Sequence, residues 1–388
     1  MAADHDWPMV KLGDVCTSVD RWRKDDDLDW QYIDISSIES ESKSIVGPST
    51  ITSTTAPSRA TTVTQAGDVL VSTVRPNLNA VAAVPVSLSP SIASSGLSVL
   101  RTDPKIADSR YLFHVVQTPG FIQRACDLAT GASYPAVSDS KIRTIQIPVP
   151  PLSEQRRIAK ILEASQQSIS KLKTLRAELL PTVFNLLEQA QQDRSATLDD
   201  FIEDISSGRN VADTKEPHPH NQVLRVSAVT TGVFNRDEAK PLPESYVPPK
   251  NHRVTPGDVL VSRANTTELL GASAIAPPGV NDMYLPDKLW RVLPKEGVDP
   301  YLLWGILNTK TVRARISQRS TGSSGSMKNI SQKNFLSVPC SSITSFDAYR
   351  LAQVPKTALE VLELTGKKLS LLEELHASLS ARAFAGKL

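Results

Sequence analysis

Apolar positions follow two periods along this chain, and the two alternate. From about Trp7 to Pro150 they come as short β-branched runs: Tyr32-Ile33-Asp34-Ile35, Val69-Leu70-Val71, Leu97-Ser98-Val99-Leu100 and Ile145-Gln146-Ile147, parted by Gly, Pro, Ser and Thr. Such runs predict strands joined by loops. One helical stretch lies among them, around Ser109 to Leu128, where Tyr111-Leu112, Val115-Val116 and Phe121-Ile122 recur at helical spacing and Pro119-Gly120 interrupts the pattern. Beyond Pro151 the period changes. Ile158, Leu162, Ser165, Ile169, Leu172, Leu175, Leu179, Val183 and Leu186 step by three and four up to about Gln192. That is the seam of a helix packed lengthwise on another helix. Ser153 is placed to cap its start, Glu154 lies where the helix dipole favours an anion, and Pro181 predicts a kink or break.

The succession then repeats. Strand-like runs Val223-Leu224-Arg225-Val226, Val259-Leu260-Val261 and Leu289-Trp290-Arg291-Val292-Leu293 fill the stretch from Ala196 to Pro339. A second seam follows: Ala358, Leu362, Thr365, Leu369, Leu372, His376 and Leu379, with Leu375 beside His376. The likeness extends to residue identities. Gly67-Asp68-Val69-Leu70-Val71-Ser72 returns as Gly257-Asp258-Val259-Leu260-Val261-Ser262, and Tyr111-Leu112 as Tyr301-Leu302, both at an offset of 190. Thr130-Gly131 and Ser133 return as Thr321-Gly322 and Ser324 at an offset of 191. The chain is a tandem duplication with too long a period for a solenoid, whose units are ~20–50 residues.

Neither long helix buries its stripe alone, so the two are expected to pair. The globule between them turns the chain back, which makes the pair antiparallel. Two helices of ~35 residues form a rod of ~50 Å with a similar globule at each end. Such a calliper suits B-DNA, whose repeat is ~34–36 Å.

Composition narrows this picture slightly. The 388 residues are 40% hydrophobic and 22% charged, as in soluble globular proteins. No apolar run approaches the ~20 residues of a membrane span, and residues 1–12 lack the apolar stretch of a secretory signal. Cys16, Cys126 and Cys340 are odd in number and far apart, which argues for a reducing, cytoplasmic setting. A net charge of +2 does not announce nucleic acid. It leaves open a chain that binds duplex through a few placed cations, and a two-headed protein-binding scaffold without nucleic-acid contact. No P-loop, Cys-x-x-Cys or Asn/Asp-Pro-Pro-aromatic run occurs, so nothing marks a motor, a metal site or an amino-methyltransferase. His218-Pro219-His220 has no Cys or carboxylate at ligand spacing and reads as a loop.

Particular runs resemble a known family. Ile147-Pro148-Val149-Pro150-Pro151-Leu152-Ser153-Glu154-Gln155-Arg156-Arg157-Ile158-Ala159 resembles the junction between the first target-recognition domain and the first long helix of type I restriction–modification specificity subunits. The opening Trp7-Pro8-Met9-Val10-Lys11-Leu12-Gly13-Asp14-Val15, the doubled Gly-Asp-Val-Leu-Val-Ser strand and the ending Ser378 to Leu388 are similar to the same family. The resemblance implies an α+β fold: two similar mixed α/β target-recognition domains, 1–150 and 194–344, at opposite ends of an antiparallel two-helix coiled-coil rod made by spacer helices 151–193 and 345–388. It implies a non-catalytic subunit that reads a split, gapped duplex target. The subunit would dock two methyltransferase subunits, which use S-adenosylmethionine on a flipped adenine. It would also dock restriction subunits, with ATP and Mg, where those exist. The second junction, Pro339-Cys340-Ser341-Ser342-Ile343-Thr344-Ser345-Phe346, departs from the pattern because it lacks the Glu-Gln pair, and Pro355 lies near the start of the second helix.

Two loops in each copy carry suitable chemistry. The loop after the repeated strand offers Thr73, Arg75, Asn77 and Asn79, and in copy two Arg263, Asn265, Thr266 and Thr267. Arg forks to guanine and Asn to adenine, although such residues also serve ordinary turns. The loop before the last strand offers Ser133, Tyr134, Ser138 and Lys141, then Ser324, Ser326, Lys328, Asn329 and Gln332. Small hydroxyls with a lysine suit phosphate contacts, and Gly131, Gly322 and Gly325 permit close backbone approach. Arg313, Arg315 and Arg319 lie on a helical stretch without neighbouring acids, either a phosphate-facing ridge, which is slightly favoured, or a solvated face. Arg21, Arg23 and Lys24 precede Asp25, Asp26, Asp27 and Asp29 and read as a solvated mixed-charge loop.

Overall fold

A computed structural model describes residues 7–24, 28–190, 196–322, 327–342 and 345–388 of the chain. It divides into two compact units: unit 1 holds residues 1–172 and 368–388, and unit 2 holds 173–367. The division runs through both long helices, so each unit owns a stretch of each.

Unit 1 is built on an antiparallel sheet ordered Cys16–Thr17, Leu97–Thr102, Val69–Ser72, Val81–Ala83. Every residue of Val69–Ser72 is buried, because strand alternation feeds two cores. Val69 and Val71 pack with Leu100, Leu112 and Phe121, whereas Leu70 packs with Ile33, Ala82 and Val84. A second sheet, ordered Ser49–Ile51, Trp30–Ile33, Ser91–Ser94, Ala60–Thr64, contains one parallel pairing, Ile92 with Tyr32. The strand expected to continue through Asp34-Ile35 stops at Ile33, because the Asp34 carboxylate accepts the N–H groups of Ser36 and Ser37 and starts a 3-10 turn.

Helix α1 (Ser109–Val115) is capped by Asp108, and α2 (Pro119–Asp127) by Thr118. Pro119 occupies the first turn of α2, where its missing N–H costs nothing. It therefore begins a helix instead of interrupting one. The short α3 (Asp139–Ile142) is capped by Ser138.

Helix α4 (Leu152–Ala190) is continuous through Pro181. Its start differs from the expectation for Ser153. The Pro151 carbonyl accepts the N–H groups of Glu154 and Gln155, which puts Ser153 inside the helix. Gln155 is fully buried: its Oε1 accepts the Asp108 N–H at 2.9 Å, and its Nε2 donates to the carbonyls of Pro150 (2.8 Å) and Ile106 (3.0 Å). The glutamine that marks the first junction is thus a staple between α4 and the cap of α1.

Unit 2 repeats the plan. Its main sheet is ordered Ile202–Ser207, Leu289–Pro294, Val259–Ser262, Ser273–Ile275. Val259 and Val261 enter one core and Leu260 another, as in unit 1. The second sheet again contains one parallel pairing, Pro217–Leu224 with Met283–Tyr284. Helices α5 (Pro300–Leu307), capped by Asp299, and α6 (Lys310–Gln318) correspond to α1 and α2. Helix α7 (Gln332–Leu336), capped by Ser331, corresponds to α3, and α8 (Ser345–Phe384) closes the chain.

Within each unit the α4 and α8 stretches run antiparallel. In unit 1, Ser165 Oγ meets His376 Nδ1 at 2.7 Å and the Arg157 guanidinium donates to the Leu388 carbonyl at 3.0 Å. In unit 2, Arg176 donates to the Leu362 carbonyl and, at 2.7 Å, to Thr365 Oγ1. The seam departs from the expected row in unit 2. Leu175 and Leu186 are each 53% exposed, while Leu180, Val183 and Leu187 are buried. The reason is α5: Phe184 meets Trp304 edge-on at 5.3 Å and Leu187 lies against Gly305, so α4 turns this face inward.

Candidate nucleic-acid interface

In unit 1 the two loops singled out above are joined. Val74 bridges Ala136, the Arg75 N–H donates to the Pro135 carbonyl at 2.7 Å, and the Val137 N–H to the Thr73 carbonyl at 2.8 Å. Between Arg75 and Asn79 the chain makes a 3-10 turn, Pro76–Leu78. Both flanking residues are left-handed, at φ 49° and 50°, a conformation that asparagine tolerates but that costs Arg75 of order 1 kcal/mol or more. The Arg75 guanidinium lies 4.7 Å from the ring centroid of Tyr134, itself 70% exposed. Asn77 and Ser133 are exposed as well. A planar cation stacked on an open ring is equipped to fork to a base edge and to offer an apolar face.

The other residues of these loops serve the fold. Thr73 is buried and its hydroxyl donates to the Gly96 carbonyl at 2.9 Å. Asn79 is half-buried, with Nδ2 directed at the Gln117 carbonyl at 3.5 Å. Ser138 Oγ caps α3 through the Lys141 N–H, and Lys141 Nζ donates to the Leu128 carbonyl at 3.2 Å.

In unit 2 the corresponding loops also meet, Ala264–Asn265 pairing with Lys328–Asn329. Their chemistry is different. The Arg263 side chain is half-buried and its Nε donates to the Asp287 carbonyl at 2.9 Å. Asn265 is used locally, Nδ2 toward Ser262 Oγ (3.4 Å) and Oδ1 accepting the Thr266 N–H (2.9 Å). Lys328 Nζ donates to the Gly322 carbonyl at 2.6 Å, the Asn329 backbone pairs with Thr321, and Gln332 Nε2 donates to the Ile205 carbonyl at 3.2 Å. Thr266 and Thr267 are exposed. Ser324, Gly325 and Ser326 lie outside the described residues.

The arginines of the ridge are half-buried, and two of them are tied to backbone carbonyls. Arg313 donates to the Glu268 carbonyl at 2.8 Å, and burial pushes its guanidinium down to about 10; Arg315 donates to the Pro339 carbonyl at 2.7 Å. Lys24 reaches the Pro57 carbonyl at 3.0 Å, and the acids Asp25, Asp26 and Asp27 that follow it lie outside the described residues. The His218 ring accepts the N–H groups of His220 and Asn221, a turn, and no metal-binding cluster occurs among the described residues.

Two residues of the unit 1 candidate site escape sequence reading. Lys43, half-buried and its amine pushed below the usual lysine range by burial, donates to the Asn79 carbonyl at 2.5 Å. Leu78, at the tip of the turn, is 54% exposed. Lys43 reaches the turn only through tertiary closure, and although Asn79 is a residue type that tolerates left-handed backbone, nothing in the local sequence announces it at Arg75.

Comparison with known proteins places this geometry. Residues 4–180 match the family described as type I restriction modification DNA specificity domain. Among relatives, the type I restriction enzyme EcoEI specificity subunit of Escherichia coli is 28% identical over 144 residues, 36% of this chain and 24% of that protein. The EcoKI specificity subunit of Escherichia coli strain K12 is 23% identical over 321 residues, 75% of this chain and 68% of that protein. A solved structure addressing complex assembly and conformational transition of the type I R-M system aligns over 98% of both chains, with a TM-score of 0.60 and 24% identity. The type I restriction–modification S subunit from M. genitalium aligns over 98% of this chain and 96% of its own, with a TM-score of 0.57 and 16% identity. The first part of the chain, residues 4–180, thus carries the likeness to type I DNA specificity domains, and the solved structures share the fold of nearly the whole chain.

Proposed function

We propose that this chain is the DNA sequence-specificity subunit of a type I restriction–modification complex, reading a split, gapped duplex target with one half-site per unit. The observation that carries the reading is the duplication: each unit brings the same two loops together beside the same buried strand. The chain is non-catalytic. Its long helices dock two methyltransferase subunits, and restriction subunits where present. S-adenosylmethionine belongs to the methyltransferase, ATP and Mg to the restriction subunit, and the assembly works in the cytoplasm.

A salt titration of duplex binding, with the methyltransferase partner present, tests the reading. Phosphate contacts release counterions, so log K should fall linearly with log salt, by about 0.9 per phosphate neutralised. A flat dependence, or no preference for one sequence, would favour the protein-binding scaffold.

A further inference from the structure

The turn Pro76–Leu78 is tied down at both ends. Pro76 is buried. The Leu78 N–H donates to the Arg75 carbonyl at 2.9 Å and the Asn79 N–H to the Pro76 carbonyl at 3.0 Å. Lys43 pins the Asn79 carbonyl from a strand connection 36 residues away, and the Arg75 N–H is fixed on Pro135. This bracing holds Arg75 left-handed, a conformation its side chain disfavours, beside Asn79, which tolerates it. Strain of that kind persists only where surrounding contacts enforce it, and it clusters at functional sites.

What the brace presents is a leucine. An exposed leucine alone means little, and Val86 in the same unit is 81% exposed. Val86, however, stands on a 3-10 turn whose flanking residues, Pro85 and Ser89, have ordinary extended backbone. Leu78 differs in being rigidly held and in standing three residues from the Arg75–Tyr134 stack. Rigid apolar side chains beside arginine are the means by which proteins part neighbouring base pairs, trading stacking energy for a bent duplex that contacts more protein surface.

We propose that Leu78 is an apolar wedge that enters the base stack of the half-site bound by unit 1. The inference rests on the reading of the chain as a duplex-binding specificity subunit and adds a distortion step to it. The wedge unstacks a base step while Arg75 fixes the register on a neighbouring base edge.

The test uses the full chain assembled with its methyltransferase. Duplexes carry 2-aminopurine at successive positions of the half-site that Arg75→Ala relaxes, and fluorescence reports unstacking. The wild-type complex should give a several-fold rise at one step distinct from the methylated adenine. Leu78→Ala should abolish that rise, Leu78→Phe should keep it, and Val86→Ala should leave it unchanged. An equal rise with Leu78→Ala, or none anywhere but at the methylated adenine, overturns the wedge while leaving specific binding intact. Loss of specific binding by the wild-type complex would instead overturn the parent reading.

Discussion

Arg101 grips Asp68 with two parallel bonds, Nε to Oδ1 at 2.9 Å and Nη2 to Oδ2 at 2.8 Å, and Asp68 is only 2% exposed. At an offset of 190 residues, Arg291 Nε reaches Asp258 Oδ2 at 2.8 Å. In both units the same aspartate also accepts a backbone N–H from the turn before its strand, Gln65 in one and Thr255 in the other. The pair ties the start of the central strand to its neighbour and sets the strand that leads into the exposed loops.

Removing one partner of such a pair leaves the other charge desolvated. Asp68→Ala should destabilise the chain by about 3–5 kcal/mol, read as a lower midpoint in urea unfolding. Asp258, 13% exposed at its side chain, should cost less on the same change. Equal and negligible losses at both positions would mean that the pairs do not hold the strands.

The helix seam makes a second contrast. Leu162 is fully buried and Leu175 half-exposed. Leu162→Ala should cost about 2–5 kcal/mol. Leu175→Asp should leave the fold and its thermal midpoint nearly unchanged, although the heptad reading places both in one row. Circular dichroism melts of the two variants decide this.

His114 carries a pH dependence. Burial, with His376 nearby, pushes its imidazole down to about 4, so the folded chain keeps it neutral. The unfolded chain protonates it near 6.5. Stability is therefore fully present above about 6.5 and is lost as pH falls toward 4, by about 3 kcal/mol in all if the whole shift is expressed. His114→Phe should flatten that part of the stability–pH curve. An unchanged slope would show that another group carries it.

Much of this architecture is legible in the residues alone, and the reasons are local. Val69-Leu70-Val71 and its copy read as strands because β-branched runs bounded by glycine and polar residues seldom do anything else. Ser138 could be recognised only as a candidate hydroxyl, and its counterpart Ser331 carried no signal at all. That both cap short helices, α3 and α7, depends on where the chain turns. The same limit applies to Leu175 and Leu186. Leucines three and four apart define more than one possible row, and the choice falls to Trp304 and Gly305 of α5, about 120 residues further along the chain. Arg75 and Arg263 follow equivalent strands, yet one is stacked in the open and the other is tied to the Asp287 carbonyl, a difference made by a distant loop.

That asymmetry yields a prediction about reading. Arg75→Ala should cost about 1–3 kcal/mol of discrimination at one base pair of one half-site. Arg263→Ala should act on stability more than on sequence preference, because its guanidinium already has a protein partner. Competition binding with single-substituted duplexes separates the two.

The central claim is that this chain chooses the bases its partner methylates. Methylation-sensitive sequencing of host DNA tests it most directly, with the methyltransferase present and this chain wild-type, deleted or carrying Arg75→Ala. The account predicts a split, gapped adenine motif with wild-type chain, no motif on deletion, and a motif relaxed in one half only with Arg75→Ala. A motif that survives deletion, or one unchanged by Arg75→Ala, would contradict it.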